Sequence, residues 1–214
     1  MRLAPRGGAA GTAGTLSPVL LGLLLGFLLV GCAQWPGFRY APSPHKLVLP
    51  KPPESFRLEG RVSVKSGGEN FSGGMLWRHD RREENLLLRT PLGQGVAELQ
   101  GTPEGVSLKD AEGRQYVADD AETLVRQVVG MTLPIKGLSW WVVGHPRPGI
   151  RYAAEADEQG RLAVLRQDDW RIEFSRYGTH ADGRRTQVPL PGKLVARRGD
   201  DLEIRLVVDQ WELP

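Results

Sequence analysis

The chain is poor in the side chains that catalysis and metal binding most often use. A single cysteine, Cys32, stands among 214 residues, so no disulfide can form within the chain. The four histidines are dispersed at His45, His79, His145 and His180, and no two have the spacing that places ligands together on a helix or strand. There is no G-x-S-x-G elbow, no phosphate-binding loop and no dinucleotide fingerprint. Asp119-Asp120 and Asp168-Asp169 are the only carboxylate pairs of note; a helix start explains the first and a solvated turn before a strand the second. The expectation is a protein that is not an enzyme, with no catalytic residue, no cofactor and no metal. Basic residues interleaved with aromatics are also lacking, which excludes a nucleic-acid partner, and Arg197-Arg198 reads as a solvated hairpin end.

Acidic residues are absent before Glu54, and the amino terminus carries only Arg2 and Arg6 ahead of the apolar run Val19–Val30. That run has 12 residues, too few to cross a bilayer comfortably and right for the core of a signal peptide. It closes on Leu29-Val30-Gly31-Cys32, which resembles the lipobox of bacterial lipoproteins. On that resemblance, residues 1–31 are a signal peptide and the Cys32 thiol is the lipid attachment site. Three acyl chains, at about 0.8 kcal/mol for each buried CH₂, hold far more firmly than one. Ala33 stands where an aspartate would mark retention in the inner membrane, so the outer membrane is implied. Removing Arg2 and Arg6 from the 28 basic residues leaves 26 against 25 acidic ones, and net charge then carries little information.

Six of the sixteen prolines fall between Ala33 and Glu54, so residues 32–54 read as a lipidated amino terminus and an extended proline-rich tether. From residue 55 to 214 the pattern is that of one domain. Phe56, Leu58, Gly60, Val62 and Val64 alternate with polar residues, the signature of a strand buried on one face. Further short runs separated by turn residues give about eleven strands. Two helices interrupt them. The first lies in "ADDAETLVRQVVG", where Asp119 is placed to cap with Glu122 three residues on, Leu124, Val125, Val128 and Val129 form the apolar stripe, and Gly130 ends the helix. The second lies in "LPIKGLSWWVVG", with Leu138, Trp141 and Val142 on one face. The fold class expected is mainly β (α+β), a curved antiparallel sheet with a short helical lid.

Two features bear on function. Trp77, Trp170 and Trp211 sit in or at the ends of strands and Trp141 on the lid; each reads alone as core packing, and together as the lining of an apolar cavity. The second is "NLLLRTPLGQGVAELQ". Pro91 presets the turn between two apolar runs and Gly93 supplies the freedom to leave it. Leu92 then occupies a turn tip, either folded back as an anchor or exposed.

In this order and spacing the lipobox, "FRLEGRVSV", "FSGGMLW", "LLLRTPLG", "YVADDAETLV", "GMTLPIKGLSWWVVGHP", "DDW" and "DQW" resemble the outer-membrane lipoprotein receptor LolB family, from about Phe56 to Trp211. The proline-rich start of the tether and the long stretch before the signal core depart from it. The resemblance implies a single unclosed antiparallel β-barrel with a helical lid over an apolar cavity. It implies acceptance of acylated lipoproteins from a soluble periplasmic LolA-like carrier and their insertion into the outer membrane without ATP. Trp77, Trp141, Trp170 and Trp211 become candidate cavity residues, and Leu92, flanked by Pro91 and Gly93, becomes an exposed membrane-insertion residue. Its partners are then the carrier, the acylated cargo and outer-membrane lipid, and a monomer facing the periplasm is expected. The alternative is an envelope lipoprotein of the same sheet class that binds a small lipid or scaffolds a complex.

Overall fold

The computed structural model describes residues 45–130, 133–183 and 186–214. The signal segment, Cys32 and the first part of the tether lie outside the described residues.

The chain builds β1 (Phe56–Ser66), β2 (Glu69–His79), β3 (Glu84–Arg89), β4 (Gly95–Thr102), β5 (Gly105–Asp110) and β6 (Gln115–Ala118). Helices α1 (Ala121–Val129) and α2 (Ile135–Trp141) follow. The second half contains β7 (Ala153–Ala156), β8 (Leu162–Gln167), β9 (Trp170–Ser175), β10 (Gly178–Ala181), β11 (Gln187–Leu190), β12 (Lys193–Arg198) and β13 (Leu202–Glu212). Eleven strands form one sheet in the order β6-β5-β4-β3-β2-β1-β13-β12-β9-β8-β7, while β10 and β11 make a separate two-stranded ribbon. Every pairing is antiparallel, the hairpin-joined neighbours as their short connections require, and β1 with β13 and β9 with β12 across long separations. The ribbon leaves no signal in the sequence, because each of its strands is only four residues long and too short for alternation to register.

The period-two pattern of β1 does what it predicts. Phe56, Leu58, Val62 and Val64 are buried while Arg57, Glu59, Arg61 and Lys65 face water. Leu58 lies in register between Trp77 of β2 and Trp211 of β13, so first and last strands share the core. The sheet is unclosed: β6 and β7 are its two edges. The chain between those edges is the helical segment, so the lid spans from one edge of the sheet to the other. On its buried side, Leu124 and Val125 of α1 and Leu138 and Trp141 of α2 join the same core as the strand residues.

Helix α1 departs from expectation at its start. The cap is Asp120, one residue after Asp119; its carboxylate accepts from the Thr123 backbone N–H at 2.9 Å. Glu122 does not close a capping box on its own helix. It accepts from the backbone N–H of Lys136 in α2 at 3.2 Å, while the Lys136 ammonium reaches Asp120 at 2.7 Å. That ammonium, together with the Thr123 bond, holds the Asp120 carboxyl down at about 2. Three side chains thus stitch the two lid helices together. Gly130 ends α1 as expected, in the left-handed region at φ 76°.

The segment just before β1 is also seated on the sheet. Leu47 and Leu49 pack against the core, and the Val48 N–H donates to the carbonyl of Gly160 at 2.8 Å. The packed structure therefore begins ahead of residue 55.

Candidate functional site

The hairpin between β3 and β4 places Leu92. Gly93 N–H donates to Thr90 O at 2.9 Å and Thr90 N–H to Gln94 O at 2.7 Å. Pro91, Leu92 and Gly93 form the loop, and Gly93 leaves it at φ 87°, a conformation glycine adopts without strain. The Thr90 hydroxyl, by accepting from Gln94 N–H at 3.2 Å, ties the base of the loop. Leu92 itself is 90% exposed, which decides between the two readings of its position: the leucine does not fold back onto the sheet.

The four candidate tryptophans fall into two groups, not one. Trp77 and Trp211 flank Phe56, with ring centroids 5.6 Å away on either side in edge-on contact. Trp77 is buried and donates from Nε1 to Glu84, which also meets Nδ1 of His79 at 2.6 Å. Trp211 is partly buried and donates to Pro191 O at 3.2 Å. At the other end of the strands, Trp141 of α2 lies 5.7 Å from Trp170 of β9. Both are buried, and the guanidinium of Arg198 covers the Trp170 ring at 5.1 Å. The sequence alone could not separate these groups, since alternation gives the face of a strand and not the height along it.

A residue that the sequence did not single out organises the lid end. Gln167, the last residue of β8, is buried. Its Oε1 accepts from Trp141 Nε1 at 3.0 Å and from the Arg147 N–H at 2.8 Å. Its Nε2 donates to Arg147 O at 2.9 Å and Ile150 O at 3.2 Å. All of the amide's bonding capacity is used. Asp168 and Asp169, next in the chain, take positive φ of 52° and 62° and form the two-residue hairpin turn into β9. Asp168 also pairs with Arg147 at 3.2 Å. A cleft of about 130 Å³ opens beside this turn, between Glu122, Pro134 and Gly137 of the lid and Arg147, Asp168 and Arg198, with Trp141 and Trp170 at its floor. No short-range signal marks "RLAVLRQ" as ending in a buried amide.

Of the remaining histidines, His145 is buried and His180 half-buried, and among the described residues the Nε2 of His145 has no hydrogen-bond partner. His145 hydrogen-bonds the Pro50 carbonyl and is pushed below the ordinary histidine value by desolvation. Its neighbours include Tyr177, whose hydroxyl donates to Leu162 O at 2.7 Å and is raised by burial. His180 is also lowered by burial. Among the described residues no cluster of three or more His, Cys, Asp or Glu is placed to hold a metal ion. None of the described helices is long and apolar enough to cross a membrane.

Comparison with known proteins places this geometry. The family profile described as outer membrane lipoprotein LolB matches residues 54–211. The outer-membrane lipoprotein LolB of Thiobacillus denitrificans is 38% identical over 188 residues, covering 88% of this chain and 94% of that protein. That of an Azoarcus species is 35% identical over 193 residues, covering 90% and 94%. Among solved structures, a LolA superfamily protein from Nitrosomonas europaea aligns with a TM-score of 0.46 at 5% identity, over 76% of this chain and 87% of that one. That likeness is too distant to add to the assignment, which rests on the profile and the relatives: the chain belongs to the LolB family of outer-membrane lipoproteins.

Proposed function

We propose that this protein receives acylated lipoproteins from a soluble periplasmic carrier of the LolA type and inserts them into the outer membrane. The observation that carries the reading is the exposed leucine at the tip of a hydrogen-bonded hairpin. Burying one leucine side chain is worth only ~1.5–3 kcal/mol, too little to anchor a protein. It suffices to orient a hairpin that the lipid on Cys32, the proposed attachment site, already keeps near the bilayer.

The acyl chains are received by the concave face. Trp141 and Trp170, at the floor of the lid-side cleft, are the side chains an entering chain meets first; Trp77 and Trp211 lie at the far end. Entry requires the lid to yield, because the lining is packed core in this structure. The driving force is transfer of apolar surface, at roughly 25 cal/mol per Å², down a series of differential affinities from carrier to receptor to lipid. No nucleotide is consumed, and a single copy of the chain suffices.

The test reconstitutes the mature, lipidated protein into phospholipid vesicles and adds carrier loaded with an acylated lipoprotein. Cargo should leave the carrier and float with the vesicles without nucleotide. Leu92→Glu should still take cargo from the carrier, and the cargo should fail to enter the vesicles. Insertion by Leu92→Glu at the wild-type rate overturns the role of the hairpin. Failure of the wild type to take cargo overturns the receptor reading itself and favours a lipoprotein that binds a small lipid.

A further inference from the structure

Resting on that reading of Leu92, the geometry points to Gly73 as the residue that aims the Leu92 hairpin. Strand β2 runs Glu69–His79 and stays paired with β1 to its first residue, Glu69 opposite Ser66. Its pairing with β3 stops earlier, at Gly74 opposite Arg89. The hairpin therefore leaves the sheet beside Gly73. The partner strand adds a second irregularity at the same height, a register shift between Leu88 opposite Ala97 and Arg89 opposite Gly95, which leaves Val96 as an extra residue and bends the ladder.

The side of departure follows from Gly73. Its face is the concave one, shared with Met75 and Trp77 and buried like them. A Cβ placed on Gly73 would stand 2.0 Å from the carbonyl oxygen of Arg89 and 2.9 Å from the Phe71 ring. The first atom is backbone and cannot swing aside. The last residue of β3 thus crosses over the inner face of β2, in space only a glycine leaves free. The neighbouring Gly74 is different: a Cβ there meets only the Arg89 Cβ, at 3.8 Å, an ordinary contact. One glycine of the pair sets the bend; the other does not. The bend turns the loop towards the concave face of the sheet, the face proposed to receive acyl chains. Gly73 is a positioning residue, acting on lipid only through the direction it gives Leu92.

The experiment uses the full mature chain in vesicles with loaded carrier and reads acceptance and insertion separately. Gly73→Ala should keep acceptance within about twofold and lose insertion at least tenfold, to the level of Leu92→Glu. The double variant should be no worse than either single one, because both act on the same contact. Gly74→Ala should match the wild type in both readouts. Where Gly73→Ala does not fold, two glycines inserted after Gly93 uncouple the tip from the bend while leaving the packed sheet untouched. That chain should accept cargo and insert it at least tenfold more slowly. Wild-type insertion by a folded Gly73→Ala chain, or by the lengthened loop, overturns the assignment to Gly73. If Leu92→Glu itself inserts normally, the role of Leu92 has failed instead, so the two failures are distinguishable.

Discussion

Replacing Leu92 by glutamate removes no contact from the folded core, since the side chain stands in water. Its unfolding free energy should stay within the roughly 0.5 kcal/mol typical of surface changes, measured by urea titration, so any loss of insertion is not a loss of fold. His145 should behave oppositely. Its folded value lies below the unfolded one because burial disfavours the charged ring. The native state therefore binds the proton less well than the unfolded chain does. Stability is complete above about pH 6.5 and falls as pH drops through the folded value. Thermal midpoints should decline between pH 7 and 5, and His145→Gln should flatten that decline; an equal slope in both proteins would remove His145 as its source. Turn chemistry made Leu92 conspicuous, because Pro91 and Gly93 act locally. Nothing local marked His145 or Gln167 as buried, since the groups that meet them come from residue 50 and from α2 and the chain just after it.

Secondary elements were legible where alternation or a helical stripe ran long enough, as in β1 and α1. They were missed or shifted where a few residues decided, as at the Asp120 cap and in the ribbon of β10 and β11. What joins the elements is tertiary. The lid is fastened to β8 through Gln167, and Gln167→Leu would strand the Trp141 and Arg147 N–H groups and the Arg147 and Ile150 carbonyls. With about 1–3 kcal/mol for each buried polar group left unmade, a loss of about 3 kcal/mol or more is expected from urea midpoints. A change below 1 kcal/mol would show that the amide is replaceable. The strap at Leu47 and Leu49 is held by two half-buried leucines and the Val48–Gly160 bond. Leu47→Ser with Leu49→Ser should release it, and trypsin should then cut after Lys46 faster than in the wild type. Unaltered cleavage rates would mean that the strap is held without those leucines.

Across the whole molecule, β1 and β13 pair from opposite ends of the domain, with Phe56–Ser66 lying along Leu202–Glu212. The sheet cannot be completed until the last strand arrives, and contacts of such long separation are slow to form. Refolding from urea should fall in the millisecond-to-second range, and a chain ending at Gly199 should not fold, because β1 and β12 both lose β13, the strand that joins the two halves of the sheet. A stable, protease-resistant product from that truncation would refute this dependence. By itself the sequence determined the alternating strands, the two helices, the unusual leucine in a turn, and the family to which the chain belongs; it also contains a segment that resembles an export signal. These depend on neighbours within a few residues, where periodicity and turn chemistry act. Only the tertiary structure decided that the tryptophans form two groups, that an amide locks the lid, that the strap is part of the packed body, and that a single glycine bends the hairpin. Those outcomes depend on which distant backbone comes to lie against which side chain, and short-range pattern contains no measure of that distance.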